Sequence, residues 1–282
     1  MTTVLDLPPT TVAPAPSALD TEALRPPLKW AGGKRWLVPY LRPMWESHRS
    51  SRLVEPLCGG LAVALGLRPE RALLNDLNPH NINFYRWLAA GLEVDPAEVA
   101  MLNDASTYYR HRTRFNELIA RGEADTREAA LLFYYLNRTG YNGLCRFNRS
   151  GEYNVPFGRH TTINYARDFS AYVPAMTGWT FTSGDFEALA LEPDDFVYAD
   201  PPYDVEFTQY SKEAFGWEEQ VRLAEWLAMH PGPVVLSNQA TDRVLKLYRK
   251  HGFKLTKREA PRMISCNGDR TKAMEVIATR GI

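Results

Sequence analysis

Short apolar runs alternate with stretches in which apolar residues recur every three or four positions, over two separate parts of the chain. The runs have the length and composition of buried strands, and the periodic stretches have the spacing of amphipathic helices. Strands are predicted at 52–55, 72–76, 179–183, 195–199, 233–236, 253–259 and 273–279. Helices are predicted at 79–90, 217–229 and 241–251, with another helical stretch between the first two strands. This alternation is typical of an α/β fold with a doubly wound, mostly parallel, Rossmann-like sheet.

The alternation stops between about residues 91 and 175. Helical segments rich in arginine lead there into a Gly- and Asn-rich stretch, residues 137–158, which predicts a β-hairpin with loops. We therefore expect residues 26–90 and 176–282 to form the α/β domain and residues 91–175 to form a largely helical insertion within it. Residues 1–25 are rich in Pro, Thr and Ala and lack periodicity, so a disordered tail is expected there.

The composition is that of a globular protein with a packed core. The chain has 282 residues, of which 45% are hydrophobic and 23% charged. No apolar run approaches the roughly 20 residues that cross a bilayer, and no secretory signal is evident, so we expect a cytoplasmic protein without membrane contact. Cys58, Cys145 and Cys266 lack metal-ligand spacing, and we expect reduced thiols and no bound metal.

The charges balance overall, with 33 basic and 33 acidic residues, but the arginines are clustered. Residues 108–121 and residues 138–160 each contain four arginines and one glutamate. A solvated charged face would explain either cluster alone. A phosphate-binding face needs only such local asymmetry, so the zero net charge does not exclude nucleic acid. The candidates for phosphate contacts are Arg110, Arg112, Arg149 and Arg159.

Asp200-Pro201-Pro202-Tyr203 directly follows the predicted strand 195–199. In an open α/β sheet, ligands bind beyond the carboxyl ends of the strands. An exocyclic amine of a nucleobase is a poor nucleophile because its lone pair is delocalised into the ring. The Asp200 carboxylate and the Pro201 carbonyl can accept its two hydrogens and favour the tetrahedral geometry that frees the lone pair, while Tyr203 offers a flat face to an extruded base. A plain turn would explain the tetrapeptide alone, but its position after a buried strand favours chemistry.

With these residues in place, the sequence resembles the Dam-type family, the D12 class of site-specific DNA adenine-N6 methyltransferases, from about residue 27 to residue 278. The motifs occur in the family's order, with cofactor segments first, a target-recognition insert next and the catalytic tetrapeptide last. The resemblance implies S-adenosyl-L-methionine as the cofactor. It also implies transfer of its methyl group to N6 of an adenine flipped out of double-stranded DNA.

Two glycine-rich segments and an acidic residue resemble the family's cofactor site. By this resemblance Trp30 and Lys34 contact the cofactor, and Leu61 stands where some members have a third glycine. Asp76 closes the second predicted strand, where an acid suits ribose hydroxyls, although a helix N-cap role would also explain it. The predicted cofactor residues are Trp30, Ala31, Gly32, Gly33, Lys34, Glu55, Pro56, Leu57, Cys58, Gly59, Asp76 and Asp200.

Residues 137–158 resemble the family's DNA-reading hairpin, which makes the insertion the target-recognition domain. In the family, the residue matching Tyr141 wedges into the duplex and the one matching Asn142 meets the orphaned base. Arg146 matches an arginine whose fork fits guanine O6 and N7. Together with apolar contacts to a thymine methyl, these positions resemble the readers of GATC. The predicted DNA-binding residues are Lys29, Arg138, Tyr141, Asn142, Leu144, Arg146, Asn148, Pro156, Arg159 and His160.

Three further positions bear on the resemblance. Thr139 stands where many members have an aromatic residue, and His160 stands where bacterial enzymes have Tyr; both departures concern the outer base pair. The segment Ser265-Cys266-Asn267-Gly268, with Arg270 and Lys272, also resembles a family segment, and we expect it to order DNA or a loop.

Two other functions are open on the sequence. Related tetrapeptides serve methyltransferases that act on cytosine N4, RNA adenine or protein glutamine, but the motif order and the 137–158 segment favour duplex DNA and adenine. The other is a DNA-binding relative without turnover, which the complete set of catalytic and cofactor residues argues against. A monomer is expected, because the cofactor-and-target design is asymmetric.

Overall fold

The computed structural model describes residues 24–95, 99–204, 215–260 and 273–282. Its strands are β1 (Leu53–Glu55), β2 (Ala72–Asp76), β3 (Trp179–Ser183), β4 (Phe196–Ala199), β5 (Val234–Gln239), β6 (Lys254–Ala260) and β7 (Ala273–Arg280). Its helices are α1 (Val38–Glu46), α2 (Ala62–Leu67), α3 (Pro79–Ala89), α4 (Ala105–Ala120), α5 (Arg127–Thr139), α6 (Tyr172–Ala175), α7 (Trp217–Met229) and α8 (Asp242–Lys250).

The described strands form one sheet in the order β3-β2-β1-β4-β5-β7-β6. The first five of these run parallel, and β7 lies antiparallel between β5 and β6. The predicted α/β fold with a mostly parallel sheet is therefore confirmed. The order reverses between β1 and β4, so the carboxyl ends of these two neighbours flank the topological switch point at which α/β proteins bind ligands.

Both faces of the central strands are covered, which explains their continuous apolar sequences. On one face Leu53, Phe196 and Val235 pack with α1, α2 and α3. On the other face Val54 and Val197 pack with α7 and α8. Because neither face meets water, these short strands hold the residues that follow them in fixed positions.

The helices α4 and α5 pack on each other, and α5 also packs on α3. Tyr134 of α5 stacks on Phe84 of α3 with ring centroids 5.4 Å apart, and both belong to the cluster that covers the sheet. These helices therefore share the core of the sheet. No helix in the described parts of the chain is both long and apolar enough to cross a membrane.

Residues 137–158 begin in the last turn of α5 and return to the end of that helix, where Gly158 donates to the Thr139 carbonyl. Two isolated antiparallel bridges, Gly140–Phe157 and Phe147–Tyr153, pair the two arms, and a 3-10 turn at Tyr141–Gly143 opens the segment. The segment thus has the pairing of a hairpin at two points, without continuous strands between them. We refer to residues 140–158 as the recognition loop.

Some sequence predictions fall outside the described residues. They are the disordered tail up to residue 23, the segment Ser265-Cys266-Asn267-Gly268, and Arg270 and Lys272. At the end of the predicted tail, Leu24 packs against the core and the Arg25 carbonyl accepts a hydrogen bond from the Tyr172 hydroxyl at 2.5 Å.

Candidate active site and nucleic-acid interface

A cavity of about 490 Å³ lies at the carboxyl edge of the sheet, beyond the ends of β1, β2, β3 and β4. Its volume is within the range of small-molecule sites. All of the predicted cofactor residues except Pro56 line it, together with the four residues of the predicted catalytic tetrapeptide. Pro56 instead uses its carbonyl to accept a hydrogen bond from the Asn75 side chain at 3.0 Å.

The loop after β1 packs directly on Trp30. A Cβ atom at Gly59 would lie 2.6 Å from the indole nitrogen of Trp30, and one at Gly60 would lie 2.8 Å from the Trp30 Cβ atom. Only glycines allow this approach, and Gly59 also has a positive φ of +46°. Leu61, at the position of the absent third glycine, has a left-handed φ of +58° and a fully buried side chain. The burial offsets a backbone conformation that costs a residue with a Cβ atom about 1–2 kcal/mol.

Asp76 ties the end of β2 to this loop. One carboxylate oxygen accepts from the Gly59 amide and the other from the Asn78 amide, both at 2.9 Å. The N-cap of α3 is Asn78, whose side chain accepts from the His80 and Asn81 amides. The alternative role for Asp76 as the helix N-cap is thus wrong. Burial raises the pKa of Asp76, while the two backbone hydrogen bonds oppose that rise.

Asn75 joins two walls of the cavity. Its amide nitrogen donates to the carbonyls of Pro56 and Gly184, at 3.0 and 2.9 Å, and its oxygen accepts from the Thr182 hydroxyl at 3.0 Å. The loops that follow β1 and β3 are therefore held by one buried side chain.

Asp200 has two partners at the switch point. The Lys34 ammonium lies 3.0 Å from one carboxylate oxygen, and the Ser237 hydroxyl donates to the other at 2.8 Å. Ser237 in turn is hydrogen-bonded to the Tyr198 hydroxyl at 2.9 Å. Burial raises the pKa of Asp200, whereas the charge of Lys34 and the two hydrogen bonds lower it. The carboxylate is thus oriented from two sides and keeps 21% of its side chain exposed.

The rest of the tetrapeptide is fixed by residues distant in sequence. The Pro202 carbonyl accepts from the Gln220 side chain at 2.7 Å, and Gln220 accepts from Asn238 at 2.9 Å. The Tyr203 ring lies with its centroid 4.7 Å from the Lys34 ammonium, a cation–π contact, and its hydroxyl donates to the Glu275 carboxylate.

Glu55, at the end of β1, lines the cavity with a side chain that is only 3% exposed. Burial raises its pKa to about 8, a backbone hydrogen bond lowers it, and the nearby charge of Asp200 raises it further. Burial therefore favours the neutral acid at Glu55, next to the Asp200 carboxylate.

Lys29 is bound to the last turn of α5. Its amide donates to the Asn137 side chain at 2.8 Å, and its carbonyl accepts from the same side chain at 2.9 Å. Its ammonium donates to the Arg138 carbonyl at 2.8 Å and lies 3.3 Å from His160 Nε2. Burial and the charge of Arg138 lower the pKa of Lys29. A Cβ atom on Gly143 would collide with Lys29, so the recognition loop and residue 29 are in close contact.

One face of α4 supports the recognition loop. Residues 108, 112 and 116 recur at four-residue spacing, which places them on one side of a helix. Tyr108 and Arg112 both donate to the Val155 carbonyl, at 2.9 and 3.1 Å. Asn116 pairs with the backbone of Tyr153 through two hydrogen bonds, at 3.1 and 2.8 Å. Arg112, a predicted phosphate contact, thus has a structural partner.

The predicted DNA-binding residues divide into exposed and engaged groups. The exposed ones are Tyr141, Asn142, Arg146, Asn148, Pro156 and Arg159. Within this group Arg146 also donates to the Asn154 side chain at 2.7 Å, and Asn148 accepts from the Ser150 and Glu152 amides and so builds the turn. Leu144 is half-buried beside the core.

Two positions of this interface face inward. Arg138 donates to the carbonyls of Pro27 and Asn164, and burial lowers its pKa. Thr139 is fully buried and its hydroxyl donates to the Tyr135 carbonyl at 2.6 Å. The departure at Thr139 therefore affects the interior of α5, and His160 is the departure that lies beside Lys29.

Several residues of the site were not predicted. The cavity is also lined by ten residues that were not predicted from the sequence, mostly glycine, apolar or acidic: Gly60, Ala62, Val63, Leu77, Gly184, Asp185, Phe186, Tyr198, Phe215 and Glu219. A signal existed for Gly184-Asp185-Phe186, because they directly follow a predicted strand. Within the described ranges, His, Cys, Asp and Glu residues form no group of three or more that could hold a metal ion.

Comparison with known proteins gives a consistent result. Residues 30–264 match the family described as D12 class N6 adenine-specific DNA methyltransferase. The Retron Ec67 DNA adenine methylase of Escherichia coli is 34% identical over 264 residues, which cover 90% of each chain. The DNA adenine methylase of Escherichia coli K12 is 34% identical over 271 residues, covering 89% of this chain and 93% of that protein.

Among solved structures, a precorrin-6y C5,15-methyltransferase of Geobacter metallireducens superposes with a TM-score of 0.36 at 8% identity, over 86% of this chain and 88% of that one. The family match spans most of the chain, and the relatives cover nearly all of it. The chain therefore belongs to the D12 class of N6 adenine-specific DNA methyltransferases.

Proposed function

We propose that this enzyme transfers the methyl group of S-adenosyl-L-methionine to N6 of an adenine flipped out of duplex DNA, within the sequence GATC. The observation that carries the proposal is the position of Asp200. This carboxylate is held by Lys34 and Ser237 at a cavity on the sheet's switch point. The target-recognition part is proposed to be residues 91–175, and the enzyme to act as a monomer on DNA in the cytoplasm, associated with the nucleoid.

The residues of the cavity fit this cofactor. Asp76 uses one lone pair of each oxygen on backbone amides, and an ionised carboxylate has further acceptor sites for two ribose hydroxyls. Gly59 and Gly60 leave room for the Trp30 ring, which forms an apolar wall. Lys34 directs two of its three donors to Asp200 and the Gly32 carbonyl and faces the Tyr203 ring, and its positive charge at the cavity wall suits a carboxylate of the cofactor.

When bound, the cofactor supplies a methyl group attached to a positively charged sulfur. Asp200 and the Pro201 carbonyl accept the two hydrogens of the adenine amine and so turn its lone pair toward the cavity. Lys34 and Ser237 hold the Asp200 carboxylate in that orientation, and Gln220 fixes the backbone at Pro202. The contribution of these residues is orientation and electrostatic complementarity to the charge that develops on the amine.

The flipped adenine stacks on Tyr203 in this mechanism, and the recognition loop replaces it in the duplex. Tyr141 is 49% exposed and is followed by Asn142, which is also exposed and has a positive φ of +52°. A flat ring and an amide are suited to filling a vacated stack and pairing with an orphaned base. Arg159, Arg149 and Arg110 are proposed to contact phosphates, and Asn148 and Arg138 to support the loop as well as the DNA.

The GATC assignment rests on the resemblance of particular positions to the family's readers. Arg146 is proposed to read guanine through O6 and N7, and Leu144 and Pro156 to contact the thymine methyl. Lys29 and His160 are adjacent, so both are proposed to act at the outer base pair.

The test is to incubate the protein with labelled S-adenosyl-L-methionine and either a GATC duplex or one in which the central pairs are scrambled. Asp200→Ala is the catalytic control. Label recovered as N6-methyladenine in the GATC duplex alone, and lost in the variant, is the expected result. Equal label in both duplexes would remove the target assignment and keep the reaction. Label recovered as N4-methylcytosine would overturn the proposed base.

A further inference from the structure

Glu275 is an acid in an otherwise apolar stretch of β7, next to the catalytic tetrapeptide. It is 4% exposed. It lies opposite Gln239 of β5, two positions along from Ser237. Residues at alternate positions of a strand point to the same face, so Glu275 and Ser237 share the face of the sheet on which Asp200 is held.

Burial of a carboxyl group is costly unless it is hydrogen-bonded, so a partner is expected. That partner is the hydroxyl of Tyr203, which donates to Glu275 Oε1 across 72 positions of sequence. Among the described residues, the other oxygen of Glu275 has no hydrogen-bond partner. Within the described ranges, the side-chain hydrogen bond of this buried acid is therefore made to the tyrosine of the tetrapeptide.

Tyr203 is anchored at two points. Its ring centroid lies 4.7 Å from the Lys34 ammonium, and its hydroxyl is bound to Glu275. Glu275 does not line the cavity itself, whereas Tyr203 does. The hydrogen bond therefore connects Glu275 to the cavity through the tyrosine ring, and the charge of Lys34, which lowers the pKa of Glu275, is a second connection to the same site.

A ring held only by its Cα–Cβ bond and a cation–π contact keeps rotational freedom about χ2 and some about χ1. The hydrogen bond at the para position fixes the far end of the ring and so restricts χ1. The hydroxyl oxygen lies on the χ2 axis, but a phenol O–H prefers the plane of its ring, so an acceptor in a fixed place also favours one χ2 orientation. The face offered to a flipped base is then oriented before the base arrives, which reduces the entropy lost on stacking.

We propose that Glu275 is a positioning residue of the methyl-transfer reaction, acting through its hydrogen bond to the Tyr203 hydroxyl to hold the ring on which the flipped adenine stacks. This inference rests on the proposed function and names a further residue of the same site. Glu275 touches neither the base nor the cofactor. Its contribution is to the orientation of the base relative to Asp200, and hence to turnover more than to DNA affinity.

The experiment is a double-mutant cycle on the full chain with Glu275→Ala, Tyr203→Phe and the combined variant, in single-turnover methylation of a GATC duplex. Glu275→Ala is expected to slow methyl transfer about ten-fold with little change in KM for DNA. In the Tyr203→Phe background, where the hydroxyl is absent, the same substitution is expected to change the rate less than two-fold. Multiplying effects in the double variant would show that Glu275 acts by another route and would overturn the proposal.

Two further arms separate positioning from a loss of folding. Glu275→Gln keeps an oxygen acceptor at the same place and is expected to recover most of the rate, whereas a requirement for the charge alone would leave it as slow as alanine. A duplex with 2-aminopurine at the target position reports stacking of the flipped base, because stacking quenches its fluorescence. Glu275→Ala is expected to bind this duplex with higher fluorescence than the wild type, and an unchanged signal would contradict the proposal.

Glu225→Gln, an exposed carboxylate on α7, is the matched control and is expected to behave as wild type. Thermal unfolding of each variant confirms that the fold is retained. The outcome also distinguishes this inference from the function on which it rests. If the wild type does not methylate adenine, the proposed function fails. If the wild type methylates adenine but the effects of the Glu275 and Tyr203 substitutions on the rate multiply in the double variant, the inference fails and the proposed function stands.

Discussion

The cavity and the recognition loop are built on opposite plans. In the cavity, the functional side chains themselves are held: Asp200 has two partners and the Tyr203 hydroxyl has one. In the recognition loop, the backbone is held and the outermost side chains are exposed. Val155 and Tyr153 are tied by their backbone atoms to α4, while the side chain of Tyr141, in the first turn of the loop, is 49% exposed.

The difference reflects what each region has to do. A methyl transfer repeats one geometry, so residues that orient the amine gain from being fixed before the substrate arrives. The recognition loop is proposed to enter a duplex that is itself deformed, and a fixed backbone with exposed side chains suits that role. Substitutions in the cavity should accordingly lower the rate of methyl transfer, and substitutions in the recognition loop should alter target discrimination or extrusion of the base.

The largest expected effect is that of Asp200→Ala. It removes an acceptor for the amine and leaves the buried Lys34 ammonium without its charge partner. We expect the single-turnover rate of methyl transfer to fall about 10³-fold, the loss seen when an oriented electrostatic contact is removed from an active site. Asp194→Ala, an exposed acid before β4, is the control. A loss below ten-fold would show that the carboxylate is not the main acceptor.

The counterpart in the loop is Tyr141→Ala. Stacking of a base on an aromatic ring contributes about 1–3 kcal/mol, so kcat/KM on a GATC duplex is expected to fall about 10- to 100-fold. The melting temperature should not change, because the side chain is exposed. Met229→Ala, which truncates another exposed side chain, should alter neither quantity. A duplex with an abasic target site should recover much of the lost binding, and equal losses on both duplexes would argue against a wedge.

Two asparagines test the rigid base of the loop. Asn137 bonds both backbone groups of Lys29, and Asn116 bonds both backbone groups of Tyr153. Replacing either with Ala leaves two backbone groups unpaired and is expected to lower the free energy of unfolding by about 1–3 kcal/mol. Asn137→Ala alone should also reduce discrimination at the outer base pair, because Lys29 loses its position. If the two variants discriminate equally between target sequences, Lys29 has no role in reading the target.

The smallest effect concerns His80, which lies between the two regions. It follows the Asp76 turn and stacks on Phe147 of the recognition loop at 4.8 Å. Burial lowers its pKa to about 4. An unfolded histidine titrates near 6.5. The contribution of neutral His80 to the free energy of unfolding is therefore fully present above that pH and is lost as the pH falls toward 4.

At pH 5 this coupling is expected to cost about 2 kcal/mol of the free energy of unfolding, relative to pH 7.5. His80→Phe keeps an aromatic ring without titration, so the difference between variant and wild type isolates the contribution of His80. Denaturant unfolding at the two pH values measures it. Parallel pH profiles for the two proteins would mean that His80 is protonated in the folded state without cost.

The sequence predicts most strands and helices of the sheet domain to within a few residues. The bounds predicted for β2, β3 and α7 are those observed: β2 is an apolar run, β3 alternates large apolar and polar residues, and α7 has helical spacing. The helix α1 was not predicted, although Leu37, Leu41 and Trp45 recur at four-residue spacing and are buried. Pro43 within the helix masks that signal, since proline removes an internal hydrogen bond.

Side-chain partners were harder to predict than strands. The glycine loop and the tetrapeptide carry their chemistry in consecutive residues, so a local pattern was enough. Gln220 and Glu275 act on the tetrapeptide from 18 and 72 positions away, and only the packed fold brings them there. The place of β7 between β5 and β6 likewise depends on long-range pairing that no local period encodes.

The paired hydrogen bonds between Lys29 and Asn137 bear on how specificity can be exchanged between relatives. Residue 29 lies more than a hundred positions before the recognition loop, yet two hydrogen bonds join its backbone to α5, the helix that precedes that loop. Five residues later, the same segment supplies Lys34 to the catalytic carboxylate. A loop transplanted from another enzyme would meet a residue 29 shaped for a different neighbour. On the proposed role of Lys29 at the outer base pair, an exchange of target specificity therefore has to transfer the N-terminal segment together with the recognition loop.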